Sequence, residues 1–120
     1  MSDPARTRLP DRRPQLIEPV IVGNATYDVA IGFDPRLPGC PPREVFLGGA
    51  RIGADMAVIL ADVAVVISIA LQHGLAASLF TGSVARVPEV VDGPPTRAAS
   101  VIGAALDLIA SHEGGGGGHG

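Results

Sequence analysis

Few side chains in this chain are of types and spacings that do chemistry. The first group is a glycine-punctuated turn, Gly48-Gly49-Ala50-Arg51-Ile52-Gly53, that leads from a short apolar segment into a long one. Free amides at a helix start, with the helix dipole behind them, receive anions. Gly48, Gly49, Arg51 and Gly53 are therefore the candidate nucleotide- or phosphate-binding residues, with Arg51 supplying the charge. The pattern is neither GxxxxGK[ST] nor GxGxxG, and the same glycines also suit a tight turn that needs positive φ. The second is Asp62, the acidic residue in the middle of the apolar run 56–71. A buried carboxylate needs a cationic partner. Arg43, Arg51 and Arg97 are the candidates, and Asp62 with Arg43 is the expected buried ion pair. The third is a scatter of metal-ligand types. Cys40 and His73 have no companion at ligand spacing, so they make no zinc site. His73 reads as a cation at a helix end, and Cys40 as a thiol in a proline-rich loop. His112 and His119 flank a glycine run that cannot hold them in place. No nucleophile–base or carboxylate pair stands at recognisable spacing, so no catalytic residue and no metal site is assigned.

Composition narrows the classes further. The chain has 120 residues, one domain's worth, of which 47% are apolar but only 3% aromatic. The core must be aliphatic, and there is no aromatic platform on which bases could stack. With a net charge of -3 as well, nucleic acid is not expected as a partner. Every basic residue is Arg, which excludes a Schiff-base or P-loop lysine. A single Cys excludes a disulfide within the chain. Residues 1–14 are polar and Arg-rich, with no apolar core of a signal peptide. The run 56–71 falls short of the roughly 20 residues needed to cross a bilayer, and Asp62 at mid-membrane would cost about 3 kcal/mol. A buried core helix, no membrane and a cytoplasmic location are the expectation.

The elements that must position these residues follow from periodicity. Residues 1–18 read as a disordered Arg/Pro-rich arm, 19–113 as the folded domain and 114–120 as a flexible glycine tail. Tyr27, Val29, Ile31 and Phe33 alternate with smaller or polar residues, which is a strand with one buried face. A short strand over 19–22 precedes it across Gly23-Asn24. A proline-rich loop spans 34–42, and 44–47 is the next strand. The long helix runs from about 53 or 54 to 73. Asp55 lies in its first turn, and Gly74 is placed as the left-handed residue after its end. Met56, Ile59, Leu60, Val63, Ile67, Ala70 and Leu71 form one stripe. Val58, Val65, Val66 and Ile69 widen it to almost the whole circumference, so Val58, Val65 and Ile69 are the expected interface with a partner. A helical turn over 75–80, a loop over 81–95 and a last helix over 96–111 complete the chain. Strands first and helices after predict an α+β two-layer domain: a small antiparallel sheet of N-terminal strands packed on a long central helix and a C-terminal helix.

These segments together resemble a known family. Arg43-Glu44-Val45-Phe46, then the turn through Ala54-Asp55, then Ile67-Ser68-Ile69-Ala70-Leu71-Gln72-His73-Gly74 look like the TSCPD domain. That domain is found at the C-terminus of vitamin B12-dependent (class II) ribonucleotide reductases and in short free-standing proteins. Its pattern is a strand ending E-V-F, a G-K-x-G-S-D turn and a helix closing on I-S-L-A-L-x-x-G. The resemblance covers about residues 25–110. Arg51 stands where the family has Lys and Ala54 where it has Ser. The segment 95–102 lacks the cysteine of the Thr-Ser-Cys-Pro-Asp motif.

The resemblance implies a link to ribonucleoside-diphosphate reductase, an oxidoreductase of DNA synthesis. Ribonucleotide reduction needs a thiyl radical and a dithiol, hence at least three cysteines, and this chain has one. The expectation is therefore an accessory domain that binds a reductase catalytic subunit or a nucleotide and is not catalytic alone. Adenosylcobalamin is implied only for a full-length reductase partner, and no cofactor for this chain. The alternative is a self-assembling homodimer or larger homo-oligomer, with no ligand, that buries the apolar helix between identical subunits.

Overall fold

The computed structural model describes Leu9, residues 13–49 and residues 51–113. Strand β1 (Gln15–Val22) turns directly into β2 (Ala25–Phe33), and both precede β3 (Pro42–Gly48). The three form one antiparallel sheet in the order β1-β2-β3. The β1–β2 turn has two residues, and Gly23, its first, has φ 60°. This is the position at which a type II′ hairpin turn takes glycine. The strand expected over 19–22 is longer: it begins at Gln15, inside the segment read as a disordered arm. Arg13 and Glu44 form an ion pair that ties the chain ahead of β1 to β3. Residues 1–8 and 10–12 of the arm and the glycine tail, His119 included, lie outside the described residues.

Period-2 alternation gives the sheet an inner face of Val29, Ile31 and Val45, all but fully buried. On that face lie helix α1 (Ala54–Gln72) and helix α3 (Val101–Ser111), contributing Ala64, Leu71, Ala105, Leu106 and Ile109 to one aliphatic core. Each fully buried Val, Leu or Ile there is worth about 1.5–3 kcal/mol. The result is the α+β two-layer arrangement read from the sequence.

Three features differ from expectation. The segment 81–95 contains the strand β4 (Arg86–Pro88), which pairs with β5 (Pro95–Ala98) as a small second sheet. Consequently α3 begins at Val101 rather than near 96. Ser100 caps it, its hydroxyl accepting the Gly103 amide at 3.1 Å. The short helix α2 (Ser78–Thr81) is held by Glu113, whose carboxylate accepts the Ala77 and Ser78 amides. Gly74 follows α1 with φ 90°, as its place after the helix end predicts.

The third difference concerns α1. By length and composition alone this helix could cross a membrane, and most of its 19 residues are not buried inside the fold. It is not the enclosed core helix that its apolar composition predicts. Its buried residues are Leu60, Ala64, Ser68, Leu71 and Gln72, while Met56 and Ile59, two members of the expected stripe, are exposed.

Candidate functional site

Why α1 buries that side is a matter of hydrogen bonds. Val45 pairs with Ile31, and its own N–H and C=O turn outward from the sheet, β3 being an edge strand. An open edge is a hazard that proteins cover. Here Ser68 covers it: its Oγ accepts the Val45 amide at 3.0 Å and donates to the Val45 carbonyl at 3.2 Å. One helical turn on, the Gln72 amide donates to the Arg43 carbonyl at 3.2 Å. The i, i+4 pair Ser68 and Gln72 thus fastens α1 along the strand. Away from the buried residues, Val58, Val65 and Val66 stand exposed, at 62%, 54% and 67%. Of the expected interface residues, Val58 and Val65 are exposed and Ile69 is half-buried at the margin. They line one solvent-facing apolar strip with Ile59 and Val66.

Asp62 stands in that strip, exposed, and is not a buried charge. Arg43, the expected partner, directs Nη1 to the Pro42 carbonyl at 3.0 Å. Helical periodicity explains the correction. The inward face of the helix is centred among Leu60, Ala64, Ser68, Leu71 and Gln72, and Asp62 lies away from that centre. The buried carboxylates are instead Asp34 and Glu44. Asp34, just after β2, accepts the Arg36 amide at 3.0 Å and the Arg36 guanidinium at 2.9 and 3.0 Å. The guanidinium holds the Asp34 carboxyl below its ordinary range, against the opposing pull of burial. The bound carboxylate in turn raises Arg36. Glu44 lies across Gly32, where a Cβ would stand 2.8 Å from the Glu44 Cγ.

The glycine turn is built differently from a left-handed cradle. Gly48 ends β3, Gly49 follows, and Gly53 caps α1 at φ −71°. None of the three has positive φ. Gly49 instead runs close to β2: a Cβ there would lie 3.2 Å from the Thr26 carbonyl oxygen, a tight contact. Gly53, Arg51, Asn24, Thr26, Tyr27 and Asp28 line a cleft of about 740 Å³ between the β1–β2 turn and the start of α1. Arg51 is exposed. Asp28 lies in the same lining, and Asp55 in the first turn of α1. One guanidinium and one carboxylate in the same lining make a mixed site, not the positive field that a polyphosphate selects.

The remaining chemistry-bearing residues are dispersed. Cys40 is half-buried with φ 47° in the loop after Asp34. His73 Nδ1 lies 2.9 Å from the Ile69 carbonyl at the end of α1. His112 meets Phe33 edge-to-face at 5.7 Å. Among the described residues no three of His, Cys, Asp and Glu gather as metal ligands.

Two surfaces escaped sequence reasoning. The side of the sheet turned from the helices carries the cross-strand row Ile17, Ala30, Phe46, with Ile17 at 66% and Phe46 at 52% exposure. Ile17 and Ile21, at alternate positions of β1, are its signal once the strand begins at Gln15. The other is a staple at the opposite end. Arg86 grips Asp107 with both terminal nitrogens, at 2.6 and 2.7 Å, and the Thr81 carbonyl at 2.8 Å, joining β4, α2 and α3. That bidentate grip raises Arg86 above its ordinary pKa.

No protein-family model matches this chain, and no curated protein or solved structure matches it.

Proposed function

We propose that this chain is a non-catalytic docking module, an accessory of a ribonucleotide reductase that binds the catalytic subunit through the outer face of α1. The observation that carries the reading is the strip Val58, Ile59, Val65 and Val66, left exposed on a helix whose other side is fixed to β3. Exposed aliphatic surface concentrated on one helix marks an interaction site. The partner's identity is supported by the TSCPD-like order of strand, glycine turn and helix. In this reading the cofactor chemistry, adenosylcobalamin included, belongs to the partner, and the complex sits in the cytoplasm. The mixed charge of the Gly48, Gly49, Arg51 and Gly53 turn favours polypeptide docking over nucleotide binding.

The test is a titration of the purified chain into an adenosylcobalamin-dependent reductase catalytic subunit of the same organism, followed by calorimetry. Saturable binding is expected, and Val65→Glu abolishes it while its urea midpoint stays near wild type. No heat at high micromolar concentration, or full binding by Val65→Glu, refutes the proposal.

A second reading is favoured by the outer sheet row of Ile17 and Phe46. There the chain self-assembles, with no other partner, into a homo-oligomer. Sedimentation separates the two: this reading requires a concentration-dependent oligomer that Phe46→Glu dissociates, and a strictly monomeric chain excludes it.

A further inference from the structure

We infer that the occupant of the α1 face is an amphipathic helix that carries basic residues within its apolar stripe, supplied by a different polypeptide. The inference rests on the docking reading above and adds the partner's chemistry to it.

The argument is one of position and sign. With Leu60, Ala64, Ser68, Leu71 and Gln72 inward, 3.6 residues per turn place Asp55 and Asp62 on the outward meridian of α1. They are seven residues apart, about 10.5 Å along the axis at 1.5 Å per residue. Val58 and Val65 flank them on one side, and Ile59 and Val66 on the other; all but the two acids are aliphatic. Both carboxylates are exposed, and among the described residues the ion pairs Arg13–Glu44, Arg36–Asp34 and Arg86–Asp107 involve neither. No Arg or Lys occurs between Ala54 and Gln72. The face is therefore an apolar strip with a purely acidic midline.

Each class of occupant meets that midline differently. A wholly apolar helix would bury two carboxylates without partners, which contacts of that kind do not tolerate. A second copy, paired over the full length of α1, has its two-fold axis near Val63 and sets Asp62 against Asp62. A bilayer surface is negative, and helices that lie in it carry Lys or Arg on their polar face; α1 has none. A helix with an aliphatic stripe and Arg or Lys at heptad spacing satisfies both the apolar flanks and the two charges. It also gains specificity from sign, because wrong partners meet like charge.

Three synthetic helical peptides with one aliphatic stripe test this. They differ only at two heptad-spaced positions within the stripe, which hold Arg, Gln or Glu. Fluorescence anisotropy against the full chain is expected to show the Arg peptide binding at least tenfold tighter than the Gln peptide, and the Glu peptide weakest. The double variant Asp55→Lys, Asp62→Lys is expected to invert the order. Both carboxylates are exposed, so this variant is expected to fold, and a wild-type circular dichroism spectrum checks that. Equal affinity for all three peptides, abolished by Val65→Glu, overturns the charge assignment and leaves docking on α1 standing. Equal affinity unaffected by Val65→Glu overturns both. Binding to none of the peptides, or preferential binding to phosphatidylglycerol vesicles or to a second copy of the chain, also overturns the inference.

Discussion

Ser68→Ala puts the fastening of α1 to the sheet to a quantitative test. The change removes the acceptor of the Val45 amide and the donor to the Val45 carbonyl while taking away a single oxygen. Val45 is 1% exposed, so water does not readily replace the hydroxyl. A buried N–H left unpaired costs about 1–3 kcal/mol. The better helix propensity of alanine returns about 0.5 kcal/mol. The net expectation is a loss of about 1.5 kcal/mol. With a urea slope of about 1.5 kcal/mol/M, ordinary for a small domain, the unfolding midpoint falls by about 1 M at unchanged slope. Native-state hydrogen exchange gives a local readout: the Val45 amide exchanges about tenfold faster, because about 1.4 kcal/mol is tenfold in an equilibrium constant. Val66→Ala, on the exposed strip, is the control and stays within about 0.5 kcal/mol of wild type. A Ser68→Ala midpoint indistinguishable from that of Val66→Ala, with Val45 still protected, would refute the edge-covering role.

Other predictions concern the buried charges and the staple. Gly32→Ala brings a Cβ to within 2.8 Å of the Glu44 Cγ and destabilises the fold by about 1–3 kcal/mol; adding Glu44→Ala recovers part of that in a double-mutant cycle, and strict additivity would contradict the contact. Asp34 has a folded-state pKa below its unfolded one, so its contribution is present above the unfolded value of about 3.9 and is lost as pH falls through the folded value. Urea midpoints of wild type and Asp34→Asn therefore differ most near neutrality and converge in acid, whereas a gap that does not change with pH would contradict the assignment. Arg86→Lys keeps the charge but loses the two-pronged grip on Asp107. It lowers the urea midpoint more than Arg97→Lys does, since Arg97 is exposed on β5; equal midpoints would show that the staple holds nothing.

Much of the layering was legible because it rests on local signals. Alternation from Tyr27 to Phe33, the Gly23-Asn24 turn and Gly74 after the long helix each have a short-range physical cause, and each appears where read. The candidate site was legible in composition but not in orientation. An apolar circumference does not say which side faces in, and the deciding residues were the two polar ones, Ser68 and Gln72. Their role depends on the free edge of β3, which is a tertiary fact. Asp62 was misplaced for the same reason: a lone carboxylate in an apolar run reads as buried until the inward face of the helix is known. The β4–β5 hairpin was missed because each strand is short and carries prolines. The Asp34–Arg36 pair needed no distant information, since an Asp with a donor two residues on is a turn signature.

The central claim is that the outer face of α1 is a docking surface. The most direct measurement places a photo-crosslinking amino acid at Val65 in one strain and at Ile17 in another, and irradiates the cells of origin. The account predicts a discrete crosslink to a second, different polypeptide from Val65 and none from Ile17. No crosslink from Val65, or a crosslink from Ile17 alone, would contradict it.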